Sequence, residues 1–174
     1  MRFVDLLKTT VLLSMAAATA LAALTMAASS DERQSLPVLM GWWLGAGLVG
    51  GLIGRRRETT PPIARLLAGA RAATTLPELR PLPVVLGRLW PIFVGTALAG
   101  ALAFLGPQVP GIAVGFTIIW SLSWRHQDAA VAAIEDRDGV AFFVESASPF
   151  KAMTLVRTPS FRADVPGAVP DRAG

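Results

Sequence analysis

Side chains able to carry acid–base, nucleophilic or metal chemistry are few in this sequence, and they do not converge. Cysteine is absent, which removes disulfides, thiolate nucleophiles and cysteine metal sites. The one histidine, His126, stands beside Arg125 with only Asp128 as an acidic neighbour. An imidazole without an orienting partner reads as an interfacial side chain, not as a base or a ligand. The stretch "IEDRD", Ile134–Asp138, gathers carboxylates but lacks the ligand spacing of a calcium loop, so it reads as a solvated turn. No phosphate-cradling glycine loop, nucleophile elbow or zinc pattern is present. Hydroxyls at Ser14, Thr19, Thr25, Thr96, Thr117 and Ser121 fall inside apolar stretches, where they commonly bond their own helix or a neighbour. The expectation is therefore a protein with no catalytic, cofactor-binding or metal-binding residues.

What the sequence offers instead is packing chemistry. "GWWLGAGLVGGLIGRRRE", Gly41–Glu58, is dense in glycine and stops at Arg55, Arg56 and Arg57. In water each interior glycine costs a helix about 0.8–1 kcal/mol relative to alanine. In a membrane, small residues four apart let helix backbones approach closely. At helical spacing Gly47, Gly50, Gly51 and Gly54 fall on one face, and Gly41 and Gly45 on another. Gly95 and Gly100 mark a small-residue side of a later stretch, and Gly111 and Gly115 form another four-apart pair.

The elements that must carry these faces are long apolar blocks. The chain has 174 residues, 53% hydrophobic and 16% charged, against a soluble norm of about 25% charged. A hydrocarbon core of roughly 30 Å asks for about 20 helical residues. Residues 9–28 and 36–54 meet that length without a charge, and the blocks 89–105 and 109–124 are short. "GPQVPG", Gly106–Gly111, is a tight uncharged turn that makes 89–124 a helical hairpin, either two full spans or a half-inserted wedge. Residues 1–28 read as a retained N-terminal span, with a cleaved signal peptide as the rival. Arginine preference with abundant alanine and glycine suggests a bacterial source.

Basic residues set the expected orientation. Sixteen Lys and Arg residues are present, and only Arg33 falls in the loops assigned to the outside. Arg55, Arg56, Arg57, Arg65, Arg71, Arg88 and Arg125 sit with the rest on the opposite side, which places both termini in the cytoplasm. Trp90, Trp120 and Trp124 fall near the same interface, where indole rings favour the headgroup level. Basic residues beside apolar blocks suit an anionic lipid surface, and aromatic–basic interleaving for nucleic acid is missing.

The segment 55–88 is expected to be a basic cytoplasmic loop. Ile63, Leu66, Leu67 and Ala70 recur at helical spacing and predict a short amphipathic helix on the inner leaflet. "LPELRPLP", Leu76–Pro83, is expected to be extended. Residues 125–158 read as a β-rich tail, with a hairpin over Val131–Glu145 turning at Asp136–Gly139 and a third strand over Lys151–Thr158. A helix continuing from the preceding block through Ile134 is the competing reading. Three short strands bury little by themselves and need the membrane, another copy or a partner. Residues 159–174 are expected to be disordered.

The expected fold is thus an all-α integral membrane protein, a bundle of four transmembrane helices with a small β-hairpin or meander tail. The expected role is non-enzymatic: an interaction or scaffold protein of the bacterial inner membrane, in contact with anionic lipids and a protein partner or a second copy. The alternative is a subunit of a transporter or channel.

Overall fold

The computed structural model describes residues 1–29, 36–73, 81–145 and 153–159. Six α-helices occur among them: α1 (Phe3–Ala28), α2 (Leu36–Ile53), α3 (Pro61–Ala68), α4 (Pro81–Ala101), α5 (Gln108–Trp124) and α6 (Gln127–Asp138). A short 3₁₀ turn, Leu102–Leu105, prolongs α4. Three strands complete the set: β1 (Arg71–Ala72), β2 (Val140–Val144) and β3 (Leu155–Pro159).

Three of these helices are long and apolar enough to cross a membrane: Phe3–Ala28, Leu36–Ile53 and Pro81–Leu105. The fourth apolar helix, α5, has 17 residues, about 25 Å at 1.5 Å per residue. α5 is nevertheless the hub of the helical layer, with α1 and α2 on its flanks and α4 resting more on α1 than on α5. α1 runs antiparallel to α5, since Ser121 reaches Met15 while Gly111 meets Thr25. α2 runs parallel to it, with Leu39 beside Gly111 and Gly54 beside Leu122.

α4 begins eight residues before the apolar block that announced it. Pro81 and Pro83 fall in its first turn, where a missing N–H costs nothing because those amides have no intrahelical acceptor. The extended conformation expected for Pro81–Pro83 is therefore corrected to helix, and residues 76–80 lie outside the described residues. Pro91 sits inside α4 and removes the hydrogen bond its N–H would donate to the carbonyl four residues earlier.

The end of the layer that holds the start of α1 carries a separate cap. Its core joins Phe3, Val4, Leu6 and Leu7 of α1, Ile63 of α3, Val84 and Leu89 of α4, Val131 of α6, Phe142 and Val144 of β2, and Leu155 of β3. The sheet order is β1-β3-β2, β1 parallel and β2 antiparallel to β3. The N-terminus continues it as a partial fourth row. Arg2 bridges Phe143, and the Val144 N–H donates to the Met1 carbonyl at 3.0 Å.

Three expectations about this region are corrected. Residues 127–138 are helix α6, a helix of its own separated from α5 by a turn at Arg125–His126. Ala-rich sequence favours that state, Asp128 and Arg137 complement the helix dipole, and Gly139 closes it in a left-handed cap at φ 63°. The hairpin turning at Asp136–Gly139 does not form; β2 pairs with β3 across a longer connection. The apolar face of α3 is turned toward protein: Ile63 is 1% exposed within the cap core, with Leu66, Leu67 and Ala70 partly buried against that core. The surface that the tail's strands need comes from the same chain, on α1, α3 and α4. Pro159 ends β3, and residues 160–174 lie outside the described residues.

Candidate functional site

The glycines divide into two groups by what surrounds them. A Cβ at Gly50 meets the Ile119 Cα at 2.9 Å, and one at Gly54 collides with the Leu122 carbonyl. One at Gly111 reaches a Leu39 methyl at 2.8 Å, and one at Gly115 overlaps the Trp42 indole. These four positions seat α2 against α5. Gly100 makes ordinary contact with Leu24 at 3.6 Å. Among the described residues, Gly41, Gly45, Gly47, Gly51 and Gly95 have no such neighbour within 4 Å. The face expected to unite Gly47, Gly50, Gly51 and Gly54 is thus split. The stripe that meets α5 runs through Leu39, Trp43, Ala46, Gly50 and Gly54, leaving Gly47 and Gly51 about 100° to its side.

Two indoles lock the same contact. Trp43 Nε1–H donates to the Gly111 carbonyl at 2.7 Å, and Trp42 Nε1–H to the Ile112 carbonyl at 3.1 Å. An indole N–H left unpaired away from water is costly, so each bond fixes the register of α2 on the first turns of α5. Trp42 also meets Phe116 edge-on, with ring centroids 5.4 Å apart. The sequence reading singles out neither residue of this tryptophan pair. The signal was present in its position opposite a Gly-xxx-Gly pair, which leaves room for an indole.

Gly41 and Gly45 lie on the far side of α2 from α5, in company with Leu44, Leu48 and Leu52. Leu44 is 76% exposed and Leu48 66%. This outward face is part of a broad apolar belt that includes Val94, Leu98 and Phe104. A patch of that extent in a folded chain marks contact with lipid or with another protein.

The basic residues expected to set topology gather at the cap end. Arg55, Arg56, Arg57, Arg65, Arg71 and Arg125 are exposed there, and Arg88 is half-buried on α4. Trp90 and Trp120 are 42% and 50% exposed, and Trp120 stacks on Trp124 with centroids 5.4 Å apart. Trp124 touches the cap core, so the pair spans from cap to belt. Trp90 lies well inside α4, not at its start, because the helix begins at Pro81.

Hydroxyls within the helices bond the carbonyl one turn back: Thr10, Ser14, Thr19, Thr25 and Thr117 all do so. A 440 Å³ cavity opens between α1, α4 and α5, lined by Ser14, Pro91, Gly95, Thr96, Thr117 and Trp120 among others. A second, of 390 Å³, lies in the cap between α3, α6 and the sheet and is bordered by Asp138 and Arg157. A hydrogen bond from Arg137 holds the Asp138 carboxyl below the usual carboxylate range, with the charges of Arg137 and Arg157 acting the same way. His126 stands at the α5–α6 turn as the residue before α6.

Comparison with known proteins found no matching family model, no matching curated protein and no matching solved structure. Function therefore has to be argued from these faces and cavities.

Proposed function

We propose that this chain is a multi-pass membrane protein, both termini cytoplasmic, acting as a non-enzymatic interaction scaffold without a cofactor. The observation that carries the reading is the outward pair Gly41 and Gly45. The other four-apart glycines that touch a neighbour close the protein's own α2–α5 contact, whereas these two have no atom against them among the described residues. A small-residue pair on an exposed apolar helix suits a second transmembrane helix, from another copy or from a protein partner.

Four spans are supported by the level at which helix ends meet. The turn end of α5 lies beside the far ends of α1 and α2, through Thr25 and Leu39, and Gly100 lies beside Leu24. The 89–124 hairpin thus reaches as deep as its neighbours, which favours full spans over a wedge. The basic cap at the opposite end supports a cytoplasmic placement by the positive-inside rule. Anionic lipid at that surface follows, each basic residue near it contributing about 1 kcal/mol. Because Phe3, Val4, Leu6 and Leu7 complete the cap core, α1 is retained in this reading.

Two measurements test it. Gly41→Leu with Gly45→Leu is expected to abolish cross-linking or energy transfer between helices in the membrane while leaving thermal unfolding unchanged. A solitary wild-type monomer in mild detergent and in vesicles sinks the scaffold. Reporter fusions after Arg88 and at the C-terminus are expected to signal from the cytoplasm, and a periplasmic signal from either reverses the orientation. The 440 Å³ cavity supports a second reading, a transporter subunit with an apolar substrate path between α4 and α5. Solute flux in proteoliposomes that is blocked by Gly95→Leu would favour it.

A further inference from the structure

A third cavity, of 290 Å³, lies where the cap meets the apolar belt and is lined by Lys8, Val11, Leu12, Arg125 and Asp128. Its two halves differ in kind. Lys8 and Arg125 are exposed cations from the start of α1 and the end of α5, and Asp128 adds one carboxylate from the first turn of α6. No ion pair within 4 Å joins these three among the described residues. Below them Leu12 is 69% exposed and belongs to the belt, while Leu7, one residue before Lys8, is buried in the cap core. The stacked Trp120–Trp124 pair leads directly into Arg125, which sets this level at the headgroup region.

We propose that this pocket binds one anionic glycerophospholipid of the cytoplasmic leaflet. Its phosphodiester sits between Lys8 and Arg125, a headgroup hydroxyl donates to Asp128, and the first acyl methylenes run over Val11 and Leu12. The chemistry selects the ligand in three ways. Two cations against one carboxylate leave a net charge of +1, which a singly charged phosphodiester neutralises. Cations that border an apolar wall can hold a phosphate whose ester carries a chain, whereas a free phosphate gains nothing from Leu12. Asp128 opposes a bare phosphomonoester dianion and accepts a hydroxyl, which favours a glycerol headgroup over phosphatidic acid. The inference rests on the membrane reading, with the cap end at the inner leaflet.

Native mass spectrometry of the full-length protein, released from detergent with added lipid, tests the site. Palmitoyl-oleoyl phosphatidylglycerol is expected to be retained over the phosphatidylcholine of the same chains. Lys8→Gln with Arg125→Gln is expected to weaken that retention about thirtyfold, and each single variant about fivefold, as two surface charges suggest. Arg65→Gln, an exposed cation of the cap outside this pocket, is expected to weaken retention less than either single variant. Asp128→Asn is expected to narrow the preference for phosphatidylglycerol over phosphatidic acid. Equal retention by wild type and the double variant overturns the site, as does displacement of the lipid by inorganic phosphate. Should the protein prove extractable from membranes by carbonate, the membrane reading itself has failed. A carbonate-resistant protein without lipid preference fails only this inference.

Discussion

At the scale of single residues, two buried polar side chains hold the cap to the helices. Glu135 is 4% exposed, and its carboxylate is shared between elements. Arg2 donates to Oε2 at 2.6 Å, and the Phe142 N–H donates to Oε1 at 2.8 Å. Arg2 is half in water, so the ion pair itself contributes little. The backbone bond matters more, because without it a buried N–H is left unpaired. Glu135→Ala is expected to destabilise the protein by about 1–3 kcal/mol, and Glu135→Gln by less because an acceptor remains. Thermal unfolding in detergent, followed through tryptophan fluorescence, checks the order. Gln127 works similarly: its Oε1 accepts from the Thr60 N–H at 2.9 Å and its Nε2 donates to the Glu58 carbonyl at 3.2 Å. That one side chain draws the chain between α2 and α3 onto the start of α6.

At the scale of elements, α6 shows how a local signal and a tertiary one combine. Gln127, Ala130, Val131 and Glu135 recur three and four apart and are buried, while Asp136, Arg137 and Asp138 face water. Gly139 ends the helix at φ 63°, with no atom near its missing side chain. Gly139→Ala therefore has a purely backbone cost, expected at about 1 kcal/mol. It is read as a lowered denaturation midpoint with lipid binding and helix association unchanged. α2 is the contrasting element. Its α5-facing stripe tolerates no side chain at Gly50 or Gly54, whereas a Cβ at Gly41 or Gly45 on its outer face meets nothing within 4 Å among the described residues. A helix with one committed face and one free face is what an assembling span requires.

At the scale of the whole molecule, the chain closes on itself through its first residues. The N-terminus forms part of the sheet edge, and α1 then crosses the layer from cap to far end. Fully burying a Phe, Val or Leu side chain contributes roughly 1.5–3 kcal/mol, and α1 places four such residues in the cap core. Domains are stable by about 5–15 kcal/mol, so deleting residues 2–8 is expected to unfold the cap while the apolar helices persist. Limited proteolysis is then expected to cut within 127–145, and to spare that region in the full-length protein. Residues 125–174 made alone are expected to stay unfolded, since the apolar surface that buries Phe142, Val144 and Leu155 comes from α1, α3 and α4.

Composition and block length were enough to find apolar helices, because an uninterrupted apolar run is a property of the chain itself. Positions of charge likewise marked one end as basic, the end where Arg55, Arg56, Arg57 and Arg125 are exposed. Helix faces were half legible. Glycine spacing identified candidate surfaces, yet only the neighbour decides which glycine is filled, and it was Trp42, Trp43 and Leu39 that committed Gly111 and Gly115. The helix over 127–138 was legible only as the competing reading, because Val131 and Ile134 suit a strand as well as a helix, and Val131 is buried in the cap core. The destination of α3 escaped for a related reason. Ile63, Leu66 and Leu67 specify an apolar face, and such a face buries equally well in lipid or in protein. Sequence thus determined which segments avoid water. Tertiary structure alone decided what they meet there, because contacts between residues far apart in the chain depend on shape and not on composition.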